Sequence, residues 1–122
     1  MKILIVDDEP NIRALLAQRL SQAGFETFLA SNTMEFEIQV FCVHPDVIIL
    51  DIMLGKENGV LFYTESIEPM LQQRIPILFI SAYAEDRPAT PAKPGRLYAL
   101  RPKPFEWQEL LEDIRCLSGG DG

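Results

Sequence analysis

The most constraining feature of this 122-residue chain is a set of short, unbroken apolar runs separated by segments with helical periodicity. The runs KILIV (2–6), DVIIL (46–50) and IPILFI (75–80) are rich in β-branched residues and leucine. Strands buried on both faces of a parallel sheet have this composition, because neither face is solvated. FETFLA (25–30) alternates and indicates a strand nearer a sheet edge, and LYAL (97–100) is a fifth candidate strand.

Four amphipathic or apolar segments between and after these runs have helical spacing. They begin near Pro10, at Ser31 or Asn32, near Val60 and at Glu106. Pro69 is expected to kink or end the third helix. The alternation of strands and helices predicts an α/β fold with a doubly wound parallel sheet and helices on both faces. The weak element is the proline-rich segment 83–96, where we expect an irregular or shortened fourth helix.

Polar residues follow the predicted strands at the points where these strands end. Asp7 and Asp8 follow the first strand, Asp51 the third and Ser81 the fourth, and Lys103 lies in the loop after the fifth. In a doubly wound sheet, ligands bind beyond the carboxyl ends of the strands, where the strand order switches. With a strand order of 2-1-3-4-5, the first and third strands are neighbours, and the three carboxylates would converge.

Clustered carboxylates do not all ionise readily unless a cation neutralises them. Oxygen ligands favour a hard ion such as Mg²⁺. A carboxylate can also accept a phosphoryl group, whose charge a metal ion, a lysine and a hydroxyl would stabilise. Asp51 is the best acceptor candidate by position. The simpler alternatives are helix capping for Asp7 and Asp8, a turn-starting role for Asp51, a loop hydroxyl for Ser81 and a solvated lysine for Lys103.

Four motifs together resemble the receiver domain of two-component response regulators. The motifs are VDDEP (6–10), PDVIILDIML (45–54) followed by NG, ISA (80–82) and KPF (103–105). They occur in the order that the family has and span nearly the whole chain. The resemblance implies a flavodoxin-like, five-stranded fold of order 2-1-3-4-5, with a receiver domain over 1–117 and a flexible tail or linker start at 118–122.

Carried over by position, the resemblance assigns the acidic residues. Asp51 is expected to be the phosphoacceptor and to share in the metal site. Asp8 is expected to bind Mg²⁺ (or Mn²⁺) directly, and Asp7 mostly through water. The backbone carbonyl of Met53 is expected to be a further metal ligand.

The resemblance also assigns the residues that would read the phosphoryl group. Ser81 is expected to be the switch hydroxyl, Lys103 to contact the phosphate, and the Lys103–Pro104 peptide bond to be cis. Receivers usually carry Tyr or Phe three residues before this lysine, whereas this chain has Leu100. Tyr98, on the same face of the strand, is a partial substitute.

The resemblance implies a phosphorylation-dependent signalling domain whose partner is a sensor histidine kinase or a histidine phosphotransfer protein. Such a domain catalyses its own phosphorylation and slow dephosphorylation and is not a conventional turnover enzyme. An alternative is a receiver-like interaction module that works without phosphorylation, which Leu100 and the 83–96 segment favour and the complete acid set disfavours. A haloacid-dehalogenase-like phosphohydrolase would need a second aspartate where the chain has Met53.

Charge and composition exclude several classes of partner. The net charge of −7 and the pI near 4.6 disfavour binding to nucleic acid. The apolar runs are too short for a membrane span or a signal peptide, so we expect a cytoplasmic domain. Cys42 and Cys116 have no metal-type spacing and are expected to be two buried thiols.

Opposite charges are segregated near the end of the chain. Residues 87–103 carry five basic side chains and no acid, and the last helix (106–117) carries four acids. Reciprocal pairing of these surfaces across a two-fold axis predicts a homodimer, with two solvated faces as the simpler alternative.

Overall fold

The computed structural model describes residues 1–81 and 97–119 of the chain. The strands in this part are β1 (Lys2–Val6), β2 (Glu26–Ala30), β3 (Val47–Asp51), β4 (Met53–Leu54), β5 (Glu57–Asn58), β6 (Ile77–Ser81) and β7 (Tyr98–Pro102). Five of them form a parallel sheet of order β2-β1-β3-β6-β7, and β4 and β5 form a small antiparallel hairpin. The order of the five long strands confirms the predicted 2-1-3-4-5 topology.

The helices begin within a few residues of the predicted positions. They are α1 (Pro10–Gln22), α2 (Thr33–Val43), α3 (Gly59–Phe62) and α4 (Trp107–Leu117). The α3 helix continues as one π-helical turn (Tyr63–Ile67) and ends in a 3-10 turn (Glu68–Met70). Pro69 lies in that last turn, which confirms that the third helix ends there.

The sequence around α2 fixes both of its ends. Asn32, and not Ser31, is the N-cap, because its side-chain oxygen accepts a hydrogen bond of 2.8 Å from the Glu35 N–H. The Glu35 carboxylate in turn accepts a 2.8 Å bond from the Ser31 N–H. At the other end, His44 has a left-handed backbone with φ of 55°, and Pro45 follows it. A left-handed residue followed by proline cannot continue the helix.

Two apolar layers cover the two faces of the sheet. One layer packs α1 and α4 against β1, β3, β6 and β7, and the other packs α2 and α3 against the opposite face. In α4 the predicted apolar side is buried, with Trp107 at its margin. Leu15 on α1 has the helical spacing of a core residue but is 47% exposed, because Leu16 and Leu20 occupy the inward side.

The prediction of two buried thiols is wrong. Cys42 and Cys116 are both exposed free cysteines. Each lies on the outer side of its helix, since the inward positions of α2 are taken by Phe36 and Val40 and those of α4 by its leucines and Ile114.

The expectations for segment 83–96 and for the end of the 118–122 tail fall outside the described residues. Within residues 1–81 and 97–119, no helix combines the length and the apolar character that crossing a membrane requires.

Candidate functional site

Three carboxylates converge at the carboxyl ends of the neighbouring strands β1 and β3. Oxygen atoms of Asp7, Asp8 and Asp51 all lie within 4.8 Å of one another. The side chain of Asp7 is fully buried, Asp51 is 6% exposed and Asp8 is exposed at the rim. The parallel sheet accounts for this arrangement, because Val6 pairs with Leu50 in parallel register, so the next residues, Asp7 and Asp51, lie at the same level of neighbouring strands. The acidic cluster expected from the sequence therefore forms.

A lysine ammonium closes the other side of this cluster. The Lys103 Nζ lies 3.1 Å from Asp51 Oδ2 and 3.3 Å from Asp7 Oδ2. The loop after β7 is held in place because the Lys103 N–H donates to the Ser81 carbonyl. The peptide bond between Lys103 and Pro104 is cis, the conformation that the resemblance implied.

A cavity of about 170 Å³ opens between these groups. Its lining includes Asp8, Asp51, Met53, Ser81 and Lys103. The carboxylates of Asp8 and Asp51 line one side of this cavity and the Lys103 ammonium lines another. Such a set of donors fits a hard divalent cation beside a phosphoryl group.

The electrostatics of Asp51 reflect both burial and its charged neighbours. Burial raises the pKa of Asp51 from 3.8 to about 6; Lys103 opposes this rise and Asp7 adds to it. The Met53 N–H also donates a 3.1 Å bond to Asp51 Oδ1. Burial would lower the pKa of Lys103, but Asp51 and Asp7 outweigh it and the pKa is raised. Lys103 therefore remains an ammonium at neutral pH.

Backbone groups hold the two acids that follow β1. Asp7 Oδ1 accepts a 2.9 Å bond from the Glu9 N–H. Asp8 Oδ2 accepts a 3.0 Å bond from the Gly55 N–H in the β4–β5 hairpin. Gly55 has φ of 64°, a left-handed conformation that favours glycine. The hairpin thus fixes the orientation of Asp8 at the rim of the cavity.

The family model for the response regulator receiver domain matches residues 3–115. The chain belongs to this family. Its five-stranded topology and its acidic cluster agree with that membership.

This receiver domain is similar to parts of longer regulatory proteins. It is 34% identical over 110 residues to the regulatory protein AtoC of Escherichia coli, covering 89% of this chain and 23% of AtoC. It is 37% identical over 118 residues to the probable transcriptional regulator ycf27 of Porphyra purpurea, covering 95% of this chain and 46% of ycf27. The chain thus spans less than half the length of either relative.

One solved structure with a similar fold is a complex with Mg²⁺ and BeF. The response regulator protein TrrA of Thermotoga maritima, in complex with Mg²⁺ and BeF, superposes with a TM-score of 0.75 and 30% identity. The similarity covers 95% of this receiver domain and 97% of TrrA.

The candidate switch residues of this receiver domain lie on β6 and β7. Ser81 is buried at the end of β6. Leu100 pairs with Phe79, on the face of the sheet that packs α2 and α3. Tyr98 shares that face, but it pairs with Ile77 and is 51% exposed. Four strand positions, roughly 13 Å, separate the level of Tyr98 from that of Ser81. Tyr98 therefore lies too far from Ser81 along the strand to take the position that the aromatic residue usually has.

A buried ion pair beside the site is absent from the sequence-based prediction. Arg101 makes bonds of 2.8 and 3.0 Å to the two carboxylate oxygens of Asp113, and a third of 3.2 Å to Glu109. These bonds join β7 to α4 within one chain. The signal was present in the sequence, because Asp113 lies three residues after Leu110 and four before Leu117, on the apolar side of α4.

Arg13 is another residue that the sequence reasoning missed. Its guanidinium donates a 2.8 Å bond to the Asp7 carbonyl from one turn inside α1. A basic residue five positions after Asp8 on a predicted helix could have been the signal.

Proposed function

We propose that this receiver domain accepts a phosphoryl group on Asp51 from the phosphohistidine of a sensor histidine kinase or a histidine phosphotransfer protein. The observation that carries the proposal is the contact of Lys103 with both Asp51 and Asp7 beside a third carboxylate. A structural role alone would not require a lysine paired with two carboxylates, and a third carboxylate beside them, at a cavity.

The transfer makes one bond and breaks one. An oxygen of Asp51 bonds to phosphorus, the phosphorus–nitrogen bond of the donor breaks, and the imidazole leaves with the electron pair and takes up a proton. Lys103, already 3.1 Å from Asp51, would neutralise negative charge on the transferring group. The Met53 N–H fixes Oδ1 of Asp51 and so orients the carboxylate toward the cavity.

Asp8, Asp51 and the Met53 carbonyl would hold Mg²⁺ (or Mn²⁺), with Asp7 acting mostly through water. Both oxygens of Asp7 already accept hydrogen bonds, from the Glu9 N–H and from Lys103 Nζ, whereas Asp8 is exposed at the rim, and this difference supports the division. When bound, the metal supplies charge stabilisation to the phosphoryl oxygens.

The output of the domain would be a change in the 83–105 surface. Ser81 lines the cavity and would bond a phosphoryl oxygen, and Leu100 would repack in place of the usual aromatic side chain. A homodimer through the 87–103 and 106–117 surfaces is a further part of the proposal. The Arg101–Asp113 ion pair leaves fewer charges for this dimer interface, because these two charges are already paired within one chain.

A receiver-like module whose output does not depend on phosphorylation is the second candidate, favoured by Leu100. The two candidates differ in one measurement. Beryllofluoride with Mg²⁺ should change the sedimentation coefficient or the affinity for a partner in the first, and leave both unchanged in the second. In either case we propose a cytoplasmic protein that does not bind nucleic acid through this domain.

Labelling by acetyl phosphate tests the acceptor directly. The wild type should gain one phosphoryl group by intact mass in Mg²⁺ and none in EDTA. Asp51→Asn should remain unlabelled. Asp46→Asn is the matched control, because Asp46 lies at the opposite end of β3, where it accepts a bond from the Lys2 N–H. Equal labelling of Asp51→Asn and the wild type would refute the assignment of the acceptor.

A further inference from the structure

The α2 helix has two apolar sides, and the fold uses only one of them. Seven of its eleven residues are apolar. Phe36 and Val40 point into the core and are fully buried. Met34 and Ile38, four residues apart on the opposite side, are 70% and 54% exposed. A helix that is apolar on all sides is typically buried on all sides. In the described part of the chain, nothing buries the outer side of α2, which leaves an exposed apolar surface.

This outer side continues into a groove at the end of the domain opposite the acidic cluster. Phe41, one turn after Ile38, lines a groove of about 470 Å³. The apolar part of the lining also includes Met70, Leu71, Ile75 and Pro76, and the polar part is His44, Asp46, Gln72, Gln73 and Arg74. The exposed helix side and the groove therefore form one apolar strip, which we name the α2 strip (Met34, Ile38, Phe41 and the groove residues). Methionines at both ends make the strip adaptable to different apolar side chains.

The charge around the α2 strip is mostly negative, although Arg74 lines the groove and Lys2 Nζ lies 3.5 Å from the Val43 carbonyl at the end of α2. From Thr33 to Gln73 the chain has one basic residue, Lys56. Apart from Asp51, which belongs to the acidic cluster at the other end of the domain, the same stretch has six acids: Glu35, Glu37, Asp46, Glu57, Glu65 and Glu68. Arg74, at the rim of the groove, lies 3.8 Å from Glu68. An apolar strip flanked by carboxylates is complementary to a ligand with an apolar side and basic flanks.

We propose that the α2 strip binds a basic amphipathic helix of a partner protein. Leucine-like side chains of that helix would cover Met34 and Ile38 and enter the groove beside Phe41. Its lysines or arginines would lie against Glu37 and Glu65, the acids of α2 and of the π-helical turn. The strip is distinct from the acidic cluster, so this binding requires no phosphoryl group on Asp51.

A designed peptide is the probe. It is an amidated helix of leucine and lysine, roughly 18 residues and about 27 Å long, with leucines on one side. Fluorescence anisotropy with the full chain should show saturable binding. Met34→Gln and Ile38→Gln should each raise Kd about tenfold, because each removes the burial of one apolar side chain. The matched control is Leu15→Gln, which replaces a similarly exposed leucine on α1 and should change Kd less than about twofold.

Three further readouts separate this proposal from general attraction to an acidic protein. Glu37→Gln with Glu65→Gln should weaken binding and flatten its salt dependence. Asp51→Asn should leave Kd unchanged. The proposal is overturned if Leu15→Gln weakens binding as much as Ile38→Gln, or if a glutamate version of the peptide binds equally well. It is also overturned if sedimentation shows that the chain self-associates and that Ile38→Gln abolishes this, since the strip would then bind a second copy.

Discussion

Replacing Asp51 with asparagine should stabilise the metal-free protein at neutral pH. Asp51 as a whole residue is 6% exposed, and the pKa of its carboxyl is raised from 3.8 to about 6, chiefly by burial. The folded state therefore holds this proton more tightly than the unfolded state does. The metal-free fold loses stability as the pH rises from about 4 to about 6, and the full penalty remains above that range.

The expected gain follows from the size of the shift. The rise in the pKa of Asp51 by about 2 means that its ionisation destabilises the folded state. The cost is about 3 kcal/mol near pH 7.5 and about 1 kcal/mol near pH 4.5. Asparagine keeps an oxygen for the Met53 N–H but loses the ion pair with Lys103. Lys103 retains Asp7 at 3.3 Å, which limits that loss. The net gain at neutral pH should be about 1–3 kcal/mol.

Urea unfolding of both proteins in EDTA measures this gain. Asp51→Asn should unfold at higher urea than the wild type near pH 7.5, and the difference should shrink near pH 4.5. Mg²⁺ should stabilise the wild type more than the variant, since binding to the folded state adds stability by mass action. A variant that is less stable than the wild type at pH 7.5, or whose gain is independent of pH, would refute the reasoning.

Three single variants and one double variant test other parts of the structure by the same urea unfolding. Gly59→Ala should cost about 2 kcal/mol or more, because its Cβ would lie 2.7 Å from the Asp51 carbonyl oxygen. Asn32→Ala should cost about 1 kcal/mol through loss of the α2 cap. Asp113→Ala should cost about 3 kcal/mol by leaving Arg101 without its main partner, and Arg101→Met with Asp113→Leu should recover most of that loss. A single variant as stable as the wild type, or a double variant no more stable than Asp113→Ala, would contradict the structural reason given for that change.

The strands and the acidic cluster could be predicted because their physical signals are local. Apolar runs such as those of β1 and β3 are long enough to predict buried strands. The order of the strands in the sheet then predicts where the residues that follow them lie. Asp7, Asp8 and Asp51 converge because parallel strands end at one edge of the sheet. The prediction also depended on the strand order 2-1-3-4-5, which makes β1 and β3 neighbours.

The remaining features depend on contacts between elements that are distant in the sequence. Arg101 and Asp113 each fit a solvated charged surface when considered alone, and only the packing of α4 on β7 brings them together. Cys42 looked like a core residue because α2 is apolar on both sides, and composition does not say which side faces the sheet. The bond from Gly55 to Asp8 needs the hairpin to fold back over β1.

The central claim is that Asp51 receives the phosphoryl group. Borohydride reduction of a protein treated with acetyl phosphate and Mg²⁺ converts an aspartyl phosphate to homoserine, and tandem mass spectrometry then locates it. We expect homoserine at position 51 in that sample and none in the EDTA control. Homoserine at position 7 or 8, or none at position 51 in a protein that has gained a phosphoryl group by mass, would contradict the claim.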